Sequence, residues 1–382
     1  MTEVVLRTDP GQAAASASAV LLDAFAGHDP SSTVQLGVSP ATPQADMVEL
    51  PIAANDLLWM SIAVLGADVT VSRALAVDGW TRELELGVPL AAEGWESARG
   101  DIERMLNFLT GDRWTLRILK AAPRRLAIVR PYGDVVCLLS GGLDSLSGAI
   151  DLLAGDPNVR VVLVGAHDSG TSASRQIDLG AEVRVAFPER VEQQRTWATF
   201  RRSTTSQARP LPTVRENTTR SRSLYFIAAG LARAVLLGAD VPLCVPENGV
   251  IGINVPVSPS RAGSLSTRTT HPFFMTMLRR VLDVVGITNP LVNPYRLMTK
   301  GEALAQSRAP DLLRRLAPRS VSCAHPSALR YRGCAGPCGY CYPCLIRRAA
   351  LHAIGADGPL GYCIDVLAQP GFVAASSATS AS

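Results

Sequence analysis

Residues 135–145 read Val-Val-Cys-Leu-Leu-Ser-Gly-Gly-Leu-Asp-Ser, an apolar run that ends abruptly in a small, polar, glycine-bearing turn. The run has the composition of a buried strand, and residues 142–153 have that of a helix. Strand, turn and helix N-terminus together form a cradle suited to pyrophosphate. Gly141 and Gly142 let backbone N–H groups approach an anion closely, and Ser140 and Ser145 add hydroxyl donors. The opening turn of that helix adds its dipole and its unpaired N–H groups. Asp144 beside phosphates needs a donor to orient or a metal to meet, which points to Mg2+. No Gly-Lys-Ser/Thr follows, so the turn is not a Walker A loop.

Downstream, strand and helix patterns alternate. Residues 159–165 read as a second strand, 167–174 as a loop opened by His167, the stretch from Arg175 as a helix or turn, and 183–187 as a third strand. The pattern lapses over 193–223, which is polar and basic. Leu224, Ile227, Ala228, Leu231 and Val235 then share one face of a helix over 223–237, closed by Gly238, with a strand at 241–245. A helix over 272–285, a strand-like 287–293 and a helix from 300 to 305 complete the series. Parallel strands separated by helices predict an α/β fold, a doubly wound, mainly parallel sheet that binds ligands at the strands' C-terminal ends. The glycine turn, His167 and Glu247-Asn248 all fall at such ends.

A chain of 382 residues predicts more than one domain. Residues 1–45 read as an irregular N-terminal segment with one strand-like piece, 32–38. Residues 46–125 read as a small α+β accessory domain, with helices at 56–65 and 96–109 and strands at 80–88 and 114–118. That stretch has no cluster of His, Cys or carboxylates that reads as catalytic, so it is taken as a scaffold or interaction domain. Pro123 and Pro131 mark a linker into a main domain over 132–370, and the Ala/Ser-rich tail 371–382 is expected to be disordered.

Apolar content of 47% and charged content of 18% are those of a globular protein. Apolar runs such as 226–229 and 241–246 fall far short of a membrane span, and the N-terminus lacks a basic region followed by an apolar core. No membrane partner is expected, and the cytoplasm is the expected compartment. The net charge of +4 is too small to argue for nucleic acid by itself. Almost all basic residues are arginine, lysine occurring only at Lys120 and Lys300.

Five of the eight cysteines fall between Cys323 and Cys344, and such clustering points to metal before disulfides. Cys338, Cys341 and Cys344 are spaced by two residues, with Cys323 and Cys334 upstream. A ferredoxin-type iron–sulfur run would need a cysteine at position 348, which is Arg. The set read as zinc ligands is Cys323, Cys338, Cys341 and Cys344, with Cys334 as the alternative fourth. Cys137, Cys244 and Cys363 read as plain thiols.

Two polar stretches bear on a ligand. Residues 258–271 hold Arg261, Ser264, Ser266, Thr267, Arg268, Thr269, Thr270 and His271 without one acid, which suits a carboxylate or phosphate ligand. Arg268 could stabilise charge building on an α-phosphate, and His271 is either a ligand contact or structural. Glu247 and Asn248 could bind Mg2+ or a purine edge, or simply form the turn before Gly249. Seven arginines and a single acid, Glu216, lie between 195 and 222, either as a solvated loop or as a closure over nucleotide. Trp197 and Phe200 could stack on bases, but nucleic acid binding has no further support.

The Ser140–Ser145 turn resembles the PP-loop of the ATP pyrophosphatase (adenine nucleotide alpha hydrolase-like) superfamily. Together with Ser320-Val-Ser-Cys323 and Cys338-Gly-Tyr-Cys-Tyr-Pro-Cys-Leu-Ile-Arg347, it makes residues 134–352 similar to the QueC-like, 7-cyano-7-deazaguanine synthase family. That resemblance implies an ATP-dependent C–N ligase that adenylates 7-carboxy-7-deazaguanine or a close 7-deazaguanine carboxylate, with Mg2+ and a structural Zn2+. Asp144, Ser145 and Arg268 would be catalytic. ATP would lie on Ser140, Gly141, Gly142, Leu143, Asp144, Ser145, His167 and Arg222, the last standing where QueC-like proteins carry an Arg ahead of this helix. The acid would meet Glu247, Asn248, Arg261, Arg268 and His271. The chain departs from that family in its first 130 or so residues and in 246–256 and 266–272, which replace an Asp-containing substrate loop. Those segments, with 80–86 and 108–114, resemble QatC-like proteins of the four-gene Qat anti-phage defence system. The extra N-terminal domain is a place to dock a protein partner within a defence complex, and an amine of that partner is the expected acceptor of the activated base. The competing readings are a housekeeping nitrile synthase using ammonia, an inactive nucleotide-binding scaffold, and a zinc-ribbon nucleic-acid binder.

Overall fold

The structure, a computed structural model, describes residues 1–12, 16–25, 31–39, 46–120, 122–167, 170–201, 211–216, 218, 220–254, 268–323, 336–358 and 361–366, apart from the side chains of 167 and 170–172. The N-terminal part holds strands β1 (Thr2–Arg7), β2 (Val20–Asp23), β3 (Val34–Ser39) and β4 (Met47–Glu49) and helix α1 (Ile52–Thr70). It continues through β5 (Glu83–Pro89), α2 (Trp95–Thr110), β6 (Arg113–Leu119) and β7 (Ala127–Val129). Then come β8 (Val135–Leu138), α3 (Leu143–Gly155), β9 (Val161–His167), α4 (Gly170–Ala186), β10 (Val191–Phe200), α5 (Arg222–Leu237) and β11 (Leu243–Cys244). The rest are α6 (Gly249–Ile253), α7 (Pro272–Val284), β12 (Leu291–Val292), α8 (Lys300–Ala305), α9 (Pro310–Leu316) and α10 (Tyr342–Ala353).

The central sheet has the order β12-β11-β8-β9-β10-β3, with every pairing parallel except that of β10 with β3. Both faces of β8 are covered. Val136 and Leu138 pack into the core shared with α5, while Val135, Cys137 and Leu139 pack with Leu146 and Ile150 of α3. Burial on both sides is why this strand reads as an unbroken apolar run. The chain moves from β8 to β9 and β10 on one side, then returns to place β11 and β12 on the other. The order therefore reverses between β8 and β11, where an open parallel sheet leaves a crevice beyond the strand ends.

A second sheet, β2-β1-β5-β6, is parallel throughout. Residues 1–45, expected to be irregular beyond 32–38, thus supply two of its strands and the outer strand β3 of the central sheet. One apolar core runs from Val4 and Leu86 through Trp59 and Leu65 to Val136 and Leu231, so the N-terminal part is joined to the main sheet by packing. Helix α1 lies at its centre. Its 19 residues are long enough, and at mean hydropathy 1.4 over 18 of them apolar enough, to cross a membrane, but 83% of that stretch is buried within the fold. Two buried acids serve the fold from it. Asp56 accepts hydrogen bonds from Ala91 N, Ala92 N and Trp95 Nε1, and Asp68 pairs with Arg82.

Three expectations near the middle of the chain change. Residues 167–174, expected as a loop, enter α4 at Gly170. Of residues 183–187, expected as a strand, all but Phe187 are the end of α4; Val183 joins Leu179 in the core one helical turn away, while Val185 is 78% exposed. The third strand is β10, inside the stretch where pattern lapsed. Its buried face carries polar residues: Gln194 is wholly buried, accepting from Arg233 Nε at 3.1 Å and donating to Val129 O at 3.1 Å, and Thr196 is buried beside Ala198. Cys363, expected as a plain thiol, is disulfide-bonded.

Candidate functional site

The glycine turn sits at the switch point between β8 and β11. Gly141 takes φ +86°, a left-handed conformation open to glycine at little cost, and Gly142 caps α3. Ser145 Oγ lies 3.1 Å from Ser140 Oγ, accepts from Ser140 N at 3.2 Å and donates to Gly142 O at 3.0 Å. Gly142 N donates to Ser140 Oγ at 3.3 Å, so the two serines fix the loop's shape. Gly141 O accepts from Val321 N at 3.0 Å, which binds the turn to the segment leading into the cysteines.

Asp144, 8% exposed in the first turn of α3, is held from two sides. Its Oδ2 accepts from Asn248 Nδ2 at 2.7 Å, and its Oδ1 lies 2.9 Å from Lys300 Nζ without the geometry of a hydrogen bond. Asn248 also caps α6, accepting from Ile251 N at 3.1 Å. Glu247, beside it, accepts from Thr270 Oγ1 at 2.5 Å. Burial pushes the Glu247 carboxyl up to about 7; the Thr270 hydroxyl and Lys300 oppose the rise and the Asp144 charge adds to it. Two carboxylates, one ammonium, two serines and a glycine turn therefore share one crevice. No protein-family model and no curated protein matches the chain.

Glu247 yields a pH prediction. Its folded value lies above the ordinary 4.5, so its contribution to stability is full below 4.5 and lost as pH rises to about 7. Glu247→Gln cannot ionise and is expected to gain on the wild type between pH 4.5 and 8, by roughly 3 kcal/mol at about 1.4 kcal/mol per pH unit. Urea unfolding at pH 5 and pH 8 measures the gain; an offset equal at both values would refute it.

The other expected residues divide. Arg222 opens α5 at the same sheet edge, its guanidinium 5.5 Å from the Phe226 ring centroid. Arg268 and His271 turn instead to α2: Arg268 Nη1 donates to Phe108 O at 2.6 Å with its guanidinium 4.7 Å over that ring, and the His271 ring lies 4.6 Å from it. His271 caps α7, its Nδ1 accepting from Phe273 N at 3.1 Å, and burial followed by the Arg268 charge lowers its pKa. His271, read as either a ligand contact or structural, is here a helix cap. Both residues still flank Thr270, and Ser223 Oγ lies 2.8 Å from Thr269 Oγ1, so this segment ties α2, α5 and Glu247 together. The His167 side chain and all of Arg261 lie outside the described residues. Lys300 was missed as a site residue, and Thr270 was noticed only as one member of the acid-free stretch 258–271. A capping box, Thr299 with Glu302, puts Lys300 at the first position of α8, and an isolated lysine in an arginine-dominated chain was the available signal.

The four expected cysteines converge. The Sγ atoms of Cys323, Cys338, Cys341 and Cys344 lie within 4.8 Å of one another, and the cluster could hold a metal such as zinc. Cys338 and Cys344 Sγ are 3.8 Å apart and Cys341 and Cys323 Sγ 4.0 Å, against about 3.8 Å for the edge of a tetrahedron with zinc–sulfur bonds of roughly 2.3 Å. Gly339 at φ +86° makes the knuckle, and Cys341 N and Cys338 N approach the Cys338 and Cys323 sulfurs at 3.4 and 3.5 Å. Cys334, the alternative ligand, lies outside the described residues. From Cys344 onward α10 braces the glycine turn: Cys344 Sγ contacts Ser322 O at 3.6 Å, and the buried Arg347 donates to Ser320 Oγ at 2.5 Å and Ala317 O at 2.8 Å.

Proposed function

We propose that the chain is a cytoplasmic, ATP-dependent adenylating enzyme of the PP-loop, QueC-like kind, acting on a 7-deazaguanine carboxylate in a QatC-like defence role. The observation that carries this reading is the meeting of Ser140–Ser145 with Asp144, Asn248, Lys300 and Glu247 at the sheet's switch point. A loop of backbone donors and hydroxyls at a helix N-terminus suits the leaving pyrophosphate, and Lys300 supplies a cation where negative charge gathers.

The substrate carboxylate oxygen attacks the α-phosphorus, the bond from that phosphorus to the bridging β-oxygen breaks, and pyrophosphate departs with the electron pair. An amine then attacks the acyl carbon, AMP leaves, and the amine's proton passes to a base. Glu247, which titrates near neutrality, is suited to hold a proton on the substrate side. Asp144 Oδ1, buried and without a hydrogen bond, is a hard oxygen donor of the kind Mg2+ takes, and Mg2+ would neutralise phosphate charge there. Zinc on the four cysteines would be structural, since all four positions are filled by thiolates.

Incubation of the purified chain with ATP, Mg2+ and 7-carboxy-7-deazaguanine tests the reading. AMP and pyrophosphate are expected in equal amounts, with either ammonia or a partner protein as acceptor, and an amide or a protein conjugate as product. If neither acceptor supports AMP formation, the enzyme reading fails.

A further inference from the structure

A cleft of about 500 Å3 opens beside the outer strands β10 and β3 of the central sheet, between α4 and the first half of β10. Arg160, Arg184, Arg190 and Arg195 line it with Tyr132 and Ile177. Arg160 and Arg190 precede β9 and β10, so the cleft lies at the N-terminal ends of those strands, away from the glycine turn. Its charge is lopsided: four guanidiniums face two carboxylates, Glu189 and Glu192, a balance of two positive charges. Glu192 is already engaged, accepting from Tyr132 N at 2.8 Å and Gln194 Nε2 at 2.5 Å.

The four arginines are not equivalent. Arg190 is occupied by the fold, donating to Val159 O, Leu153 O and Asp156 O. Arg160 donates to Tyr132 Oη at 2.6 Å and lies 4.8 Å from that ring's centroid, holding an aromatic ring that is 66% exposed. Arg184 and Arg195 meet only neutral groups among the described residues: Gln193 Oε1 at 3.5 Å and Ser39 Oγ at 3.2 Å. The Arg195 stem crosses β9 at Gly165, where a Cβ would stand 3.2 Å from its Cγ, and burial lowers its pKa. Two guanidiniums in one cleft, without counter-charge among the described residues and one of them partly desolvated, suit phosphate oxygens.

We propose that this cleft is a second ligand site that takes a nucleotide, with Arg184 and Arg195 on the phosphates and Tyr132 under the base. The volume suits one mononucleotide, and a single held ring offers one stacking place, which favours a nucleotide over a nucleic-acid strand. The site stands independently of the adenylation reading.

Calorimetric titration of the full chain with ADP, pyrophosphate and a twelve-residue oligothymidylate tests it. Arg184→Ala/Arg195→Ala is expected to remove one saturable ADP site, while Ser140→Ala/Asp144→Asn leaves that site in place. Tyr132→Ala is expected to weaken ADP about tenfold and leave pyrophosphate unchanged. ADP binding unaltered in the double arginine variant overturns the site. So does oligothymidylate binding far more tightly than ADP with a steep salt dependence, which would mark a strand-binding surface. Equal weakening of ADP and pyrophosphate by Tyr132→Ala would overturn the nucleotide assignment. If the glycine turn binds nothing, the wild type shows one ADP site, still lost with the arginines.

Discussion

Asp144→Asn is expected to cut AMP release about a thousandfold while leaving the chain folded, the loss typical when one charged group of a preorganised site is removed. Asn keeps the shape of the side chain, and its amide can turn to offer Asn248 Nδ2 the acceptor it now finds at 2.7 Å. What it lacks is the negative charge beside Lys300 and an anionic oxygen for a metal. A structural ion pair and a chemical one respond differently to a second change. Losing one member of a buried pair leaves the other without counter-charge, whereas replacing both by neutral groups often restores stability. Asp144→Asn/Lys300→Met should therefore regain much of any lost stability but none of the activity. Pyrophosphate release and urea midpoints for the single and double variants decide this; activity that returns with stability would make the pair a structural clamp.

How far the sequence disclosed this site depended on how local each signal was. Strand, glycine turn and helix at 135–153 are encoded by consecutive residues, and they appear as β8, Gly141 and α3. The cysteines at 338, 341 and 344 are likewise local, and Cys323 joins them from fifteen residues upstream. Lys300 was harder to see because its partner is 156 positions away, and only the fold brings α8 against the start of α3. Strand β10 escaped because hydrophobic alternation was absent: Gln194 and Thr196 face inward, and Gln194 has the buried Arg233 as its partner. The strands β1 and β2 escaped for a different reason. β1 finds its other neighbour in β5, about eighty residues on, through backbone hydrogen bonds that leave no mark in composition. Arg268 shows the limit of composition in the other direction. A stretch without acids suggested an anion, yet its guanidinium reaches the Phe108 carbonyl, an unpaired acceptor near the C-terminus of α2.

Asp112→Ala is expected to destabilise the chain by about 3–5 kcal/mol, the cost of leaving buried guanidiniums without their carboxylate. Asp112 lies between two arginines. It accepts from Arg73 Nη1 at 2.6 Å and Nη2 at 2.9 Å, and from Arg82 Nη2 at 2.6 Å and Nε at 3.1 Å. Burial alone would raise its pKa; the bonds and charges of Arg82, then of Arg73, outweigh that and hold it below the ordinary carboxylate value. The stability it confers is thus present above pH 4 and lost as pH falls through its lowered value. A third arginine sharpens the effect. Arg220 also donates to Thr110 O, and burial, with the Arg73 and Arg268 charges, pushes it down to about 10. Without Asp112, Asp68 must balance Arg82 while it also accepts from Ser221 Oγ at 2.6 Å at the start of α5. The disturbance should therefore reach α5 and the Arg268–His271 segment, not only the N-terminal sheet. Urea unfolding reads the free energy, and hydrogen exchange at residues 221–226 and 268–275 reads the spread. A cost under about 1 kcal/mol, or faster exchange confined to residues 1–120, would mean the network does not couple the N-terminal part to the site.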